Sequence, residues 1–229
     1  MIMTKVLSTL FGGAALVAAS SASAVLIVDD FTTEQFLEVS GSTGSVSSQV
    51  EGAGILGGER DVYLGVIDNE HGLSADVNVV GGNYHHSTDT GVTAFSTIQW
   101  DGIDGSDSID AMGLSGVDLL SAGSAFVIDV LSTDLGATFE LTVWDMDGTF
   151  ETVFKSVGQV LSPQSVAFNF NSFSSALDLS SVGAMELTLS GAAAVDLSIR
   201  SVTVPEPAGI ALVGLGLLGL GLRRKSKKA

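Results

Sequence analysis

The feature that most limits what this chain can become is a period of two, repeated along its middle. In "ATFELTVW", Phe139, Leu141 and Val143 fall on one side and Glu140, Thr142 and Trp144 on the other. "RDVYLGV" sets Val62, Leu64 and Val66 against Asp61 and Tyr63, and "SVAFNF" groups Val166, Phe168 and Phe170. "AFVIDVL", "MELTLS" and "VDLSIRSVTV" repeat the pattern. Successive side chains of a strand point to opposite faces, so this alternation marks half-buried antiparallel strands. The segments between them, "EGAGILGGE", "VGGN", "DGIDGSDSID" and "SAGS", have turn compositions. About eight to eleven short strands predict an all-β chain, a single antiparallel β-sandwich with the jelly roll as its form.

The ends have different compositions. Lys5, an apolar stretch from Val6 to Ala19 and the small residues Ala22-Ser23-Ala24 read as a secretory signal peptide, residues 1–24, cleaved after Ala24. Near the other end, Ala208–Leu222 is an apolar run of 15 residues, followed by Arg223, Arg224 and Lys225. Such a helix spans about 22 Å, against a hydrocarbon core of about 30 Å. It can engage a membrane, yet its five glycines weaken it as a permanent anchor. The basic cluster orients it, with the C-terminus cytoplasmic and the domain outside. The expected organisation is a signal peptide, a β-sandwich over 25–203, and a tail over 204–229 carrying a short transmembrane helix.

Charge narrows the function. Of the 26 acids only Glu206 lies in the tail, which leaves 25 in the middle against three bases, Arg60, Lys155 and Arg200. A phosphate backbone needs Lys and Arg to replace its counterions, so nucleic acid is excluded as a partner. The absence of cysteine excludes a thiolate nucleophile, thiolate zinc sites and iron–sulfur clusters. No H-E-x-x-H, G-x-S-x-G or phosphate loop occurs. In "NYHHSTD", His85 and His86 are adjacent, and neighbours on a strand face opposite ways. The chain reads as a non-enzyme without a cofactor, calcium being the one candidate ion.

Val204-Pro205-Glu206-Pro207-Ala208, the short Gly/Leu run and the terminal Arg/Lys cluster together resemble the PEP-CTERM protein-sorting signal. The resemblance implies a Gram-negative bacterium that makes extracellular polysaccharide. It also implies recognition of Pro205, Glu206 and Pro207 by an exosortase, a membrane cysteine transpeptidase. The chain would pass the inner membrane, be held there transiently, and reach the cell surface or matrix after cleavage.

The middle resembles galactose-binding-like jelly rolls in "VDDF", "LGGERDVYL", "FSSALDLSSVGAMELTLSG" and "VDLSIRSV". Such folds serve widely as carbohydrate-binding modules, often with a structural calcium joining the first and last strands. Asp29 and Asp30 match the early acidic part. Arg200 stands where a last-strand acid is expected, so its guanidinium could pair with Asp29 or Asp30 in place of the cation; Asp196 is the nearest alternative ligand.

Two further segments bear on sites. "DGIDGSDSID" has acids at 101, 104, 107 and 110 without the EF-hand order, and reads first as a solvated Asp/Gly loop. Asp145-Met146-Asp147-Gly148 reads as a hairpin turn. Sugar binding uses flat aromatic rings on a polar face. Trp144 and Tyr63 alternate away from their core neighbours and are the candidate ligand-binding residues, whereas Trp100 belongs to the core. The expected function is a secreted surface or matrix protein that associates with or binds extracellular polysaccharide. A structural or adhesive matrix protein without specific glycan binding, and a polysaccharide-acting hydrolase, are the alternatives.

Overall fold

The computed structural model describes residues 25–206. The cleavage residues Ala22 and Ala24, Pro207, the apolar run and Arg223, Arg224 and Lys225 lie outside the described residues. Among those described, no helix is long and apolar enough to cross a membrane.

The described part is a sandwich of two antiparallel sheets. Its strands are β1 (Leu26–Asp29), β2 (Gln35–Ser40), β3 (Gly44–Glu51), β4 (Glu59–Asn69), β5 (Ser74–Val80), β6 (Asn83–Thr88) and β7 (Val92–Trp100). They continue with β8 (Ala125–Thr133), β9 (Ala137–Asp145), β10 (Phe150–Val157), β11 (Gln164–Asn169), β12 (Val182–Gly191) and β13 (Asp196–Val204). One sheet has seven strands in the order β11-β8-β13-β6-β5-β2, with β1 also paired to β13. The other has six, in the order β10-β9-β12-β7-β4-β3. The chain changes sheets at most of its connections, the habit of a jelly roll.

The alternation seen in the sequence sorts each strand's side chains. Val62, Leu64, Ile98, Phe139, Leu141, Val143, Met185, Leu187 and Leu189 of the six-stranded sheet are buried. They meet Val77, Val79, Tyr84, Phe126, Ile128, Val130, Phe168, Ile199 and Val202 of the seven-stranded sheet. The many fully buried aliphatic and aromatic side chains supply the driving force, each contributing about 1.5–3 kcal/mol. Trp100 is fully buried, in agreement with its parity.

The described residues form 13 strands, more than expected. The additional ones include β3 "GSVSSQVE" and β6 "NYHHST", whose polar composition hides the period. The face shared by Val166, Phe168 and Phe170 is cut short. The strand ends at Asn169, and Phe170 opens a one-turn 3₁₀ helix (Phe170–Ser172), although its N–H still donates to the Ser124 carbonyl at 2.9 Å in the β11–β8 register and its ring stays buried. The Asp145–Gly148 turn is a hairpin between β9 and β10, with Asp145 Oδ1 accepting the N–H groups of Asp147 and Thr149.

Candidate functional site

The outer face of the six-stranded sheet is read from its register. Phe154 faces Glu140, which faces Thr188, then Thr97, Tyr63 and Ser47. The adjacent row runs Thr152, Thr142, Glu186, Gln99, Asp61 and Gln49. Phe150 pairs with Trp144 in the next row. The result is a polar strip with aromatic rings at both ends.

At the β10 end, Phe150 stacks on Trp144 with centroids 5.9 Å apart and planes at 28°. Phe150 and Phe154 are more than 60 % exposed, while Trp144 is half-buried. At the β4 end, Tyr63 and Phe95 meet at 5.7 Å and 34°. Gly65 makes that contact possible: a Cβ there would stand 2.5 Å from the Phe95 ring. Between the ends, Gln99 Nε2 donates to Glu186 Oε2 at 2.7 Å, and the Thr97–Thr188 and Thr142–Thr152 hydroxyls are bonded at 3.1 and 2.9 Å. Burial holds the Glu186 carboxyl above its ordinary value, opposed by the Gln99 bond and reinforced by Glu140.

Trp144 and Tyr63 therefore share a face but not a pocket. The β9 and β4 positions are three strand spacings apart, and Trp144 lies four residues along from Glu140 in the row of Tyr63, which together separate them by roughly 19 Å. Phe150 and Phe154 escaped the sequence reading. Their signal is the Asp-Gly turn, which fixes the β9–β10 register and so places Phe150 beside Trp144. The opposite outer face differs. There Glu38 faces Asp76, which faces Ser87, which faces Asp196. Burial first, then Glu38, Asp196 and Asp89, raise the Asp76 carboxyl.

The first-strand acids meet a different partner from the one expected. Asp29 is fully buried, and its ion pair is with Arg60 on β4 at 3.2 Å. Arg60 Nε donates to Gln35 Oε1 at 2.8 Å, Arg60 Nη2 donates to the Thr33 carbonyl at 2.7 Å, and its guanidinium lies 5.6 Å from the Phe31 ring centroid. Trp100 Nε1 and the Phe31 N–H also donate to Asp29, at 3.0 and 2.9 Å. Burial still raises the Asp29 carboxyl, against the pull of Arg60. Arg200, expected to pair with Asp29 or Asp30, instead pairs with Asp129. The reason is register: β13 sets Ser201 opposite Asp129 on β8, which brings Arg200 within reach of that carboxylate. Asp30 caps its own turn through Thr32. Asp196 is not brought to Asp29. It faces Ser87, while Asp29 faces Val202, six residues further along β13 or roughly 20 Å.

A second carboxylate group sits at the edge of the candidate face. Glu59, Asp61 and Asp101 are buried, and Asp104 is exposed. Burial, followed by Asp101, Glu59 and Asp104, pushes Asp61 up to about 8.

The last strand leads straight into the tail. Val204 is fully buried and pairs with Leu26. The Pro205 carbonyl lies so close to Gly123 that a Cβ there would be 2.3 Å from it. Residues 203–225 match the PEP-CTERM protein-sorting motif. The motif thus begins inside β13, with no linker before Pro205 and Glu206. It implies export and a membrane-held sorting signal.

No curated protein matches the chain in sequence. Among solved structures, the chain is similar to the family 11 carbohydrate-binding module of a cellulosomal cellulase of Clostridium thermocellum. The two share 14% identity over 82% of this chain and 97% of that one, with a TM-score of 0.40. It is also similar to a variant family 29 carbohydrate-binding module, at 8% identity over 70% of this chain and 92% of that one, TM-score 0.36. An agarase is matched at 9% identity over 62% of this chain and 22% of that one, TM-score 0.40.

Proposed function

We propose that this is an exported protein, sorted through its PEP-CTERM tail by an exosortase, that acts by binding extracellular polysaccharide without catalysis. Sorting holds it at the inner membrane until cleavage, after which it works at the cell surface or in the matrix. The observation that carries the binding assignment is the outer face of the six-stranded sheet. Its aromatic rings can stack on the C–H faces of sugars, and the Thr, Gln and Glu rows between them offer hydrogen bonds to hydroxyls. The opposite face, with its Glu38–Asp76–Asp196 line, repels acidic chains and lacks paired rings.

A glycan array with the full chain in detergent tests the reading. Wild type is expected to bind, and Trp144→Ala to lose about tenfold or more in affinity, roughly 1.4 kcal/mol. No binding to any acidic or neutral glycan would refute the assignment. For sorting, alanine at Pro205, Glu206 and Pro207 together is expected to leave an uncut, membrane-held precursor in a host with an exosortase. Normal release of that variant would remove the exosortase from the account.

A further inference from the structure

We infer that Glu59, Asp61, Asp101 and Asp104 form a calcium site that clamps the loop after β7 onto β4. Glu59 and Asp61 project from the outer side of β4, yet they are only 4 % and 1 % exposed, because the loop folds over them. One oxygen each from Glu59, Asp61 and Asp104 all lie within 4.8 Å of one another. Oxygens that share a calcium at about 2.3–2.6 Å can take up such a separation.

The decisive observation is what Asp61 lacks. Both of its oxygens, and Asp101 Oδ1, are buried and receive no N–H or hydroxyl donor; the groups beside Asp61 are the carboxyls of Asp101, Glu59 and Asp104. Other buried carboxylates of this sandwich are well supplied. Asp29 has Arg60, Trp100 and the Phe31 N–H, and Asp145 accepts the N–H groups of Asp147, Thr149 and Asp178. Unpaired buried carboxylates are costly, and buried charges are paired or bind metals.

No basic side chain of the described residues can supply the missing charge. Arg60 lies between Glu59 and Asp61 in sequence, but strand alternation sends it to the inner side, where it holds Asp29. Arg200 is engaged by Asp129, and Lys155 is on β10, at the far edge of the sheet. The donors are all carboxylate oxygens, which suit a hard cation such as calcium. The loop is already shaped for it. Glu59 Oε1 accepts the N–H groups of Asp104 and Gly105, and Asp101 Oδ2 accepts that of Asp110. One oxygen of each remains for the ion. This site is separate from Asp29, and it adjoins the aromatic face at Asp61, which pairs with Gln99 but is buried under the loop.

The test uses the full chain in detergent, stripped with chelator and titrated with calcium, and separately with magnesium. One calcium per chain is expected to bind, raising Tm by about 5–11 °C at a hundredfold excess over Kd. Asp61→Asn and the exposed-site variant Asp104→Asn should each weaken calcium binding at least tenfold, while Asp30→Asn and Asp196→Asn leave it unchanged. Equal calcium binding by Asp61→Asn, Asp104→Asn and wild type would overturn the site. So would a wild type indifferent to calcium with Asp61→Asn more stable at every calcium concentration, since a proton shared with Asp101 would then hold the pair.

Discussion

Replacing Arg60 with Met tests how the sandwich closes its first strand. Arg60 is fully buried and bonds Asp29, Gln35 and Thr33, with Phe31 against its guanidinium. Methionine fills part of the volume but leaves Asp29 with only the Trp100 and Phe31 N–H donors. Removing one partner of a buried ion pair costs about 3–5 kcal/mol. In a domain of roughly 180 residues, that lowers Tm by about 6–20 °C at neutral pH.

The pH dependence carries a sign. Burial holds the folded Asp29 pKa above its unfolded value, so its ionised form loses stability as pH rises through the window between the two. Without Arg60 the window extends upward. The gap between wild type and Arg60→Met should therefore be small near pH 4 and widen toward pH 7. Asp29→Asn added to Arg60→Met should recover part of the loss, because no charge is then left unpaired. Thermal melts by circular dichroism at both pH values measure this. An Arg60→Met variant melting within about 2 °C of wild type at pH 7, or losses in the double variant that simply add, would refute the reasoning.

Three other outcomes follow from the same structure. His86 is buried with neither ring nitrogen bonded, and burial lowers its pKa to about 4. The unfolded chain takes up this proton first, so stability should fall as pH drops from about 6.5 toward 4; His86→Leu should flatten that limb of the melting profile and add about 1–3 kcal/mol at pH 7. A Cβ at Gly113 would stand 1.5 Å from the Asp101 carbonyl oxygen. Gly113→Ala should thus cost about 1–3 kcal/mol by denaturant unfolding and abolish the calcium response. Phe154→Ala removes an exposed ring from the β10 end, and should weaken polysaccharide binding in affinity electrophoresis while Tm moves by less than about 2 °C.

Much of the sandwich was legible because its long central strands keep strict alternation. The β4, β8, β9 and β12 side chains divide as "RDVYLGV", "AFVIDVL", "ATFELTVW" and "MELTLS" require. The less legible strands are poor in apolar residues; β3 takes its register from pairing with β4, and its own side chains say little. Even there parity holds: His86 points into the core and His85 does not. Partners distant in sequence were beyond reach. Arg60 and Asp29 meet only because β1 and β4 come together, and nothing local marks Arg60 over Arg200 as the buried cation. Likewise Asp101 and Asp104 were visible in the loop, but Glu59 and Asp61 join them only through the pairing of β4 with β7. Trp144 and Tyr63 were placed by parity alone, whereas Phe150 and Phe154 needed the register of the Asp-Gly hairpin.

The most direct measurement is hydroxyl-radical footprinting of the full chain with and without the host's own extracellular polysaccharide. The expected result is protection of Phe154, Phe150, Trp144 and Tyr63, with Phe36, an exposed ring on the opposite sheet, unchanged. Protection of Phe36 with no change at the other four would contradict a binding role for the six-stranded sheet.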